Sequence, residues 1–269
     1  MSRIAATFDR LNSQGRKALI PFVTAGDPRP DVTLPLMHAL VEAGADVIEL
    51  GMPFSDPMAD GPAIQLANER ALGNGMTLRK TLQIVTEFRR TNSETPVVLM
   101  GYLNPVEWMG YEAFVGLAAE AGVDGLLMVD MPPEEGGGLV PLAKAAGLDL
   151  IYLVTPTTTH ERFNAIVERA TGWIYYVSLK GITGAKTLNV EEVEQKLDWM
   201  RQHTDLPICV GFGISDGETA ARVAKVASGV IVGSALVRIV EAQQSKGADE
   251  ISSQVSQLLG DMRSAMDRP

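Results

Sequence analysis

Short apolar stretches alternate with amphipathic stretches from one end of the chain to the other. The apolar stretches have the length of buried strands, and the amphipathic ones repeat their apolar residues at helical spacing. The pattern predicts strands near residues 18–24, 46–50, 97–101, 125–130, 148–154, 174–178, 207–211 and 229–233. It predicts helices that include residues 32–43, 78–91, 111–121, 165–170, 190–203 and 218–226.

Three junctions between a predicted helix and the next strand share one pattern: EAGAD at 42–46, EAGVD at 120–124 and AAGLD at 145–149. Each places glycine where a left-handed residue ends a helix at little cost. A repeated unit of helix and strand predicts a parallel sheet with right-handed crossovers.

Eight predicted strands in 269 residues favour a closed (β/α)8 TIM barrel over an open doubly wound sheet. The spacing of Ile4, Phe8 and Leu11 predicts an extra N-terminal helix. No linker, low-complexity run or change of composition divides the chain, so residues 1–269 are expected to form a single barrel domain.

Composition narrows the class of protein. With 46% hydrophobic and 21% charged residues, the chain fits a soluble protein with a sizeable core. The net charge of −10 argues against general binding to nucleic acid or to anionic membranes. The N-terminus lacks the apolar run of a signal peptide, and Cys209, the lone cysteine, cannot form an internal disulfide. The cytoplasm is therefore the expected compartment.

Two carboxylates are the strongest candidates for chemistry. Glu49 lies near the end of the strand predicted at 46–50, and its neighbours Val47, Ile48 and Leu50 are all apolar. An ionised group in such a place is costly unless it is paired, so a fold rarely keeps one for packing. Asp60 follows in the next loop, and strand ends carry the function in this type of barrel. The pair is a candidate acid and base, although Glu49 alone also fits a buried polar network and Asp60 alone fits a helix cap.

The last two predicted strands end in glycine-rich loops, GFGIS at 211–215 and GSA at 233–235. Backbone N–H groups in such loops, next to helix N-termini, are suited to binding phosphate. No lysine or arginine occurs at 207–221 or 227–237, so the binding would rest on amides. The alternative is that these glycines only form tight turns. A dinucleotide fingerprint is excluded because Asp216 stands where its third glycine is required.

Other reactive residues offer weaker candidates. Lys180, near the end of the sixth predicted strand, could form an imine with a carbonyl substrate. His38, His160 and His203 fall on separate predicted helices, so no two of them are expected to share a site. No Cys/His cluster has metal-ligand spacing, and Cys209 is expected to be a small core residue.

These segments resemble the tryptophan synthase alpha chain family over essentially the whole chain. The motifs that carry the resemblance are PFVTAGDP at 21–28, ELGMPFSDP at 49–57 with ADGP at 59–62, VS…GITGA at 177–185, GFGIS at 211–215 and VGSA at 232–235. The motif at 49–57 is highly specific, whereas many phosphate-binding barrels share the glycine loops.

The resemblance implies a lyase that splits indole-3-glycerol phosphate into indole and glyceraldehyde 3-phosphate, a retro-aldol step of tryptophan biosynthesis. It implies no metal or cofactor in this chain, and a partner beta chain that carries pyridoxal phosphate in an α2β2 complex. The alternatives are another phosphate-barrel enzyme, such as an isomerase or a cyclising synthase, and a regulatory barrel that activates the beta chain.

The family's functional residues match positions of this sequence. Glu49 matches its proton-transfer carboxylate, and Asp60 matches the carboxylate that accepts the indole N–H. Thr183 matches a lid residue that orders near Asp60. The remaining matches are Phe22, Ile64, Met100, Tyr175 and Phe212 in the indole pocket, Gly184, Gly213, Gly233 and Ser234 at the phosphate, and Asp56 and Asn104 on the partner face. Lys180 and Gly101 depart from the pattern of some members.

Overall fold

Nine parallel strands form one sheet in the structure, a computed structural model that describes residues 2–178, 190–211 and 213–268. They are β1 (Ala18–Thr24), β2 (Ile48–Gly51), β3 (Val97–Gly101), β4 (Gly125–Met128), β5 (Asp149–Leu150), β6 (Tyr152–Val154), β7 (Ile174–Val177), β8 (Ile208–Gly211) and β9 (Gly229–Val232). Their order in the sheet is β5-β4-β3-β2-β1-β9-β8-β7-β6. Because β5 and β6 stand at opposite ends of this order and only Ile151 separates them in the chain, the sheet closes into the predicted barrel.

The predicted fifth strand, 148–154, is the one strand that the structure divides in two. Thr171 engages both backbone groups of Leu150: its Oγ1 accepts from the Leu150 N–H at 2.9 Å, and its own N–H donates to the Leu150 carbonyl at 3.0 Å. A side chain thus replaces one bond of the regular ladder. The eight predicted strands therefore become nine, with β5 paired to β4 and β6 paired to β7.

Helices follow most of the strands and surround the barrel. They are α1 (Arg3–Ser13), α2 (Pro30–Glu42), α3 (Pro62–Gly73), α4 (Leu78–Arg89), α5 (Leu103–Met109), α6 (Tyr111–Ala121), α7 (Leu139–Ala145), α8 (His160–Val167), α9 (Val190–Arg201), α10 (Gly217–Ala224), α11 (Ser234–Ala242) and α12 (Ala248–Met266). No helix within the described ranges is long and apolar enough to cross a membrane.

The helix predicted at 165–170 was placed too late in the chain. In the structure α8 begins at His160, because the Thr159 hydroxyl accepts a hydrogen bond from the Arg162 N–H at 3.3 Å and so caps the helix. The first turns of α8 bury few apolar residues. The spacing of apolar residues alone therefore does not show where this helix starts.

The three glycine junctions have the predicted geometry. Gly44, Gly122 and Gly147 follow α2, α6 and α7 with φ values of +102°, +85° and +76°. A side chain would be strained in this left-handed region, whereas glycine turns the chain back toward the sheet without strain.

The core has two layers, because successive side chains of each strand point to opposite faces of the sheet. Side chains on one face of the sheet pack outward against the helices, and those on the other face fill the barrel. Helix α1 closes the amino-terminal end of the barrel with Ile4, Phe8 and Leu11, and the Phe8 ring centroid lies 6.2 Å from that of Trp173. The opposite end, where the strands finish, is left for the site.

Buried ion pairs also stabilise the amino-terminal end. The carboxylate of Asp124, just before β4, accepts from Arg89 at 2.6 Å and from Arg3 at 2.7 Å. Only 4% of the Asp124 side chain and 11% of the Arg89 side chain are exposed. Removing Asp124 would leave the buried Arg89 guanidinium without its carboxylate, and losing one partner of a buried pair costs about 3–5 kcal/mol.

Candidate active site

Glu49 points into the barrel near the carboxyl ends of the strands. Its neighbours Ile48 and Leu50 pack outward against the helices, and successive residues of a strand face opposite ways. Val47, two positions earlier, belongs to the interior cluster. The strand therefore delivers one carboxyl to the inside of the barrel, and this direction follows from the structure, since apolar residues flank Glu49 on both sides in the sequence.

The Glu49 carboxyl is fully buried and isolated. Its exposed fraction is 0%, and neither carboxylate oxygen has a hydrogen-bond partner among the residues that the structure describes. Burial without a partner disfavours the charged form and raises the pKa of Glu49 to about 8. A carboxyl that stays protonated at neutral pH can act as a general acid, and once it has released its proton it becomes a base.

Asp60 lies in the loop between β2 and α3, and its environment differs from that of Glu49. Burial raises the pKa of Asp60 to about 6, and hydrogen bonds from the side chains of Tyr102 and Asn68 limit the rise. The Gln65 side chain also holds this loop, since its Nε2 donates to the Asp60 carbonyl at 2.8 Å. Asp60 is therefore mostly ionised at neutral pH while Glu49 is mostly protonated.

Tyr102 and Asn68 are site residues to which the sequence assigned no role. The Tyr102 hydroxyl accepts from the Ala59 N–H at 3.0 Å and donates to the Asp60 side chain. Asn68, on α3, is 5% exposed. The available signal for Asn68 was one amide on the apolar face of a helix, between the buried residues Ala67 and Ala71.

Three of the five residues predicted for the indole pocket lie together around Asp60. Phe22 of β1, Ile64 of α3 and Met100 of β3 line the same cleft as Asp60, together with Asn68. The lining thus combines apolar side chains with one carboxylate, the two kinds of group that would contact an aromatic ring and its N–H.

Tyr175 of β7 faces the barrel interior beside Glu49. Burial and the nearby Glu49 carboxyl raise the pKa of the Tyr175 phenol well above its usual value, so the phenol remains neutral. Its ring packs so closely over Gly211 of β8 that a Cβ on Gly211 would collide with the phenol oxygen. The glycine of the 211–215 loop is therefore required here for the packing of an aromatic ring.

The predicted phosphate loops contribute unequally. No side chain caps α11, whose first turn follows Gly233 and begins at Ser234, so its N–H groups face no competing side-chain acceptor. At α10, in contrast, Asp216 Oδ1 accepts from the Thr219 N–H at 2.8 Å and occupies the helix N-terminus. Gly213 has a φ of +75°, which turns the chain sharply after β8. One N–H group at the start of α10 is thus taken by Asp216, whereas the start of α11 has no side-chain cap.

Four candidate residues lie outside the described residues. They are Lys180, Thr183, Gly184 and Phe212.

Comparison with known proteins gives the family. The family model of the tryptophan synthase alpha chain matches residues 8–267 of this chain. The chain belongs to the tryptophan synthase alpha chain family. It is similar to the tryptophan synthase alpha chain of Thioalkalivibrio sulfidiphilus, with 60% identity over 99% of this chain and 100% of that protein. Its identity with the one from Dechloromonas aromatica is 58%, over 99% of this chain and 98% of that protein.

Solved structures agree with this assignment. Subunit alpha of tryptophan synthase from Legionella pneumophila has a TM-score of 0.92 and 48% identity, over 99% of both chains. A chain of the tryptophan synthase complex from Pyrococcus furiosus has a TM-score of 0.81 and 38% identity, over 92% of this chain and 98% of that chain. The barrel fold expected from the eight predicted strands is confirmed. The chain is a lyase of tryptophan biosynthesis, whose reaction is the cleavage of indole-3-glycerol phosphate.

The predicted partner face of this alpha chain is exposed and carries more apolar surface than the sequence suggested. Asp56 and Asn104 are both exposed, on the loop after β2 and at the start of α5. On the same two segments Met58 is 82% exposed and Trp108 is 89% exposed. Large side chains displayed in this way are typical of protein interfaces.

The structure brings together two of the histidines that the sequence places on separate helices. His160 of α8 and His203, just beyond α9, both pack on Trp199, and their ring centroids are 6.4 Å apart. The sequence could not show that α8 and α9 are neighbours. His38 packs separately on Phe88. Among the described residues, no three His, Cys, Asp or Glu side chains are grouped as metal ligands. Cys209 is buried in the barrel interior, as predicted.

Proposed function

We propose that Glu49 and Asp60 are the catalytic residues with which this chain cleaves indole-3-glycerol phosphate. The observation that carries the proposal is the isolation of Glu49, whose pKa of about 8 leaves it protonated at neutral pH. Asp60, with a pKa of about 6, is ionised under the same conditions. Two carboxyl groups held in opposite protonation states are suited to proton transfer and to charge stabilisation, respectively.

Glu49 transfers protons in both directions during the reaction. The indole ring is a poor leaving group as a carbanion, so the Glu49 carboxyl first donates its proton to C3 of the ring. The resulting carboxylate then removes the proton from the glycerol hydroxyl next to the breaking bond. The carbonyl of glyceraldehyde 3-phosphate forms, the bond to C3 breaks, and its electron pair returns to the ring. Glu49 is protonated again at the end of the cycle.

Asp60 stabilises the charge that this sequence creates. Protonation at C3 leaves positive charge on the ring nitrogen, whose N–H the Asp60 carboxylate accepts. A fixed group of opposite charge in a dry site is worth about 2.7–4 kcal/mol, by analogy with the removal of an oxyanion-hole donor. Phe22, Ile64, Met100 and Tyr175 enclose the ring, and we assign Phe212 and the lid residue Thr183 to the same pocket.

The phosphate is placed at the N-terminus of α11. Gly233 and Ser234 present backbone N–H groups there, and the helix dipole favours an anion. Gly213 and Gly184 complete the proposed contacts. Phe22 joins the two halves of the site, because it lines the cleft with Asp60 and also lies against Gly233.

The test is turnover by the purified chain and its Glu49→Gln variant. Glutamine keeps the size of the side chain, but its amide can neither donate a proton to C3 of the indole ring nor accept one from the glycerol hydroxyl. We expect stoichiometric indole and glyceraldehyde 3-phosphate from the wild type and no detectable turnover from the variant, with glycerol 3-phosphate binding unchanged. Turnover of Glu49→Gln at the wild-type rate would disprove the role of Glu49. Binding of the substrate without cleavage by the wild type would favour the regulatory alternative.

A partner beta chain that carries pyridoxal phosphate is proposed to bind the face formed by Asp56, Met58, Asn104 and Trp108, in an α2β2 complex. Apolar side chains exposed beside polar ones support this choice of surface. We further propose that residues 1–269 act as one barrel domain and that the enzyme works in the cytoplasm, where the buried thiol of Cys209 stays reduced.

A further inference from the structure

The two halves of the proposed site stand on two neighbouring helices. Helix α3 begins two residues after Asp60, which serves the indole ring, and α11 begins at Ser234, which serves the phosphate. The substrate carries ring and phosphate at a separation that its glycerol chain limits. The position of α3 relative to α11 therefore decides whether one molecule can reach both groups at once.

Small side chains bring the two helices close together. Ala63 and Ala67 of α3 pack against Val237 of α11 and against Phe22, in a cluster separate from the main core. Alanine methyl groups allow close approach but provide little interlocking that would prevent the helices from sliding. Such a contact needs another interaction to define the position along the helix axes.

Arg70, in the last turn of α3, supplies that interaction. Its Nε donates to Asp27 Oδ1 at 2.7 Å and its Nη2 donates to Asp27 Oδ2 at 3.1 Å. Its Nη1 donates to Glu241 Oε1, on α11, at 3.3 Å. The guanidinium thus joins α3, α11 and the loop after β1, and 16% of the Arg70 side chain is exposed against 2% of that of Asp27.

The geometry of arginine matters at this position. Its planar guanidinium presents fixed donors to both oxygens of Asp27 while a third nitrogen reaches Glu241. A lysine keeps the charge but cannot make the two-point contact with Asp27 and the third contact together. Neither Arg70 nor its two partners touches the cleft around Asp60, so any effect on the reaction acts through the positions of the helices.

We propose that Arg70 is a positioning residue that sets the distance between the indole half and the phosphate half of the site, by joining α3 to α11 and to the loop after β1. The inference rests on the proposed roles of Asp60, Gly233 and Ser234. It makes Arg70 a determinant of which substrate length the site accepts.

The experiment measures the affinities of the wild type and of Arg70→Lys for three ligands. Indole and glycerol 3-phosphate each occupy one half, and indole-3-propanol phosphate spans both through a chain that cannot be cleaved. We expect the affinity of the spanning ligand to fall by about tenfold or more, because misplacement by about 1 Å is enough for large losses. The affinity for indole alone and for glycerol 3-phosphate alone should each change by less than about twofold, since the residues proposed to contact each ligand are unchanged.

Arg89→Lys is the matched control, because Arg89 and Asp124 form a similarly buried pair at the other end of the barrel. It should lower the unfolding temperature while leaving all three affinities as in the wild type. If Arg70→Lys does not fold, Glu241→Gln weakens only the link to α11 and should give a smaller loss confined to the spanning ligand.

Three results would overturn the inference: unchanged affinity of Arg70→Lys for the spanning ligand, an equal loss for all three ligands, or the same selective loss in Arg89→Lys. If the wild type binds neither the spanning ligand nor its halves, the proposed function fails as well. If the wild type binds them and Arg70→Lys binds them equally, only the role of Arg70 fails.

Discussion

Phe22 of β1 and Glu49 of β2 are register partners in the parallel ladder, so an aromatic ring and a fully buried carboxyl stand side by side at the end of the barrel. This pairing explains how one site can be both apolar and acidic. The apolar surroundings keep the carboxyl protonated, and the same surroundings suit an aromatic ring.

Glu49 should make the stability of the fold depend on pH. Its carboxyl titrates near 4.5 when unfolded and at about 8 when folded. Between these values the folded state holds a proton that the unfolded state has lost, so the free energy of unfolding falls as pH rises, by up to about 1.4 kcal/mol per pH unit. In Glu49→Gln this contribution is absent. Urea unfolding of both proteins from pH 5 to pH 8 should show the variant gaining stability relative to the wild type, and a constant difference would contradict this.

The rate should depend on pH through both carboxyl groups. Asp60 must be ionised and Glu49 protonated, so kcat/KM of the free enzyme should rise through about pH 6 and fall through about pH 8. Asn68→Ala removes a hydrogen bond that lowers the pKa of Asp60. We expect the acidic limb of this variant to move to higher pH while the alkaline limb stays in place. A pH profile identical to that of the wild type would exclude Asn68 as a partner of Asp60.

Asp60→Asn should slow the reaction without changing assembly. The amide has lost the negative charge that stabilises the ring nitrogen, and the expected loss in kcat is about 10²–10³-fold, by analogy with oxyanion-hole variants. Binding of the beta chain, followed by gel filtration or calorimetry, should remain at the wild-type level. If the variant instead fails to bind the beta chain but keeps the wild-type kcat, Asp60 belongs to the interface.

Trp108 should contribute to binding of the beta chain. Its side chain is 89% exposed, so Trp108→Ala removes little packing within this chain, whereas an aromatic residue at the centre of an interface contributes about 2 kcal/mol or more. Calorimetry should show a weaker complex, with an unchanged unfolding temperature of the isolated chain. Asn12→Ala, at the exposed far end of α1, is the control and should bind normally.

Gly213 should matter for phosphate binding through its backbone. Because its φ is +75°, alanine there is strained by about 1–2 kcal/mol, and the loop is expected to shift away from α11. Titration of Gly213→Ala with glycerol 3-phosphate should show weaker binding. Gly116→Ala is the matched control, since a methyl group in that helix meets open space and should leave phosphate affinity unchanged.

Much of the fold could be predicted because its determinants are local. The apolar neighbours of Glu49 show that this residue is buried, and a glycine such as Gly122 ends its helix through its own φ angle. Where a boundary depends on the hydrogen bonds of one residue, as at Thr159 or Thr171, the prediction was less accurate, because an isolated polar contact leaves no periodic pattern.

The sequence by itself determined the parallel barrel, the burial of Glu49 and the glycine turns, because spacing and backbone preference act within a few residues. Only the tertiary structure decided that Asn68 and Tyr102 both hydrogen-bond to Asp60 and that the His160 ring lies near the His203 ring. It also decided that Arg70 joins Asp27 to Glu241. Each of these contacts lies between side chains from different elements. Closure of the barrel and the packing of helices set their separation, which no local pattern encodes.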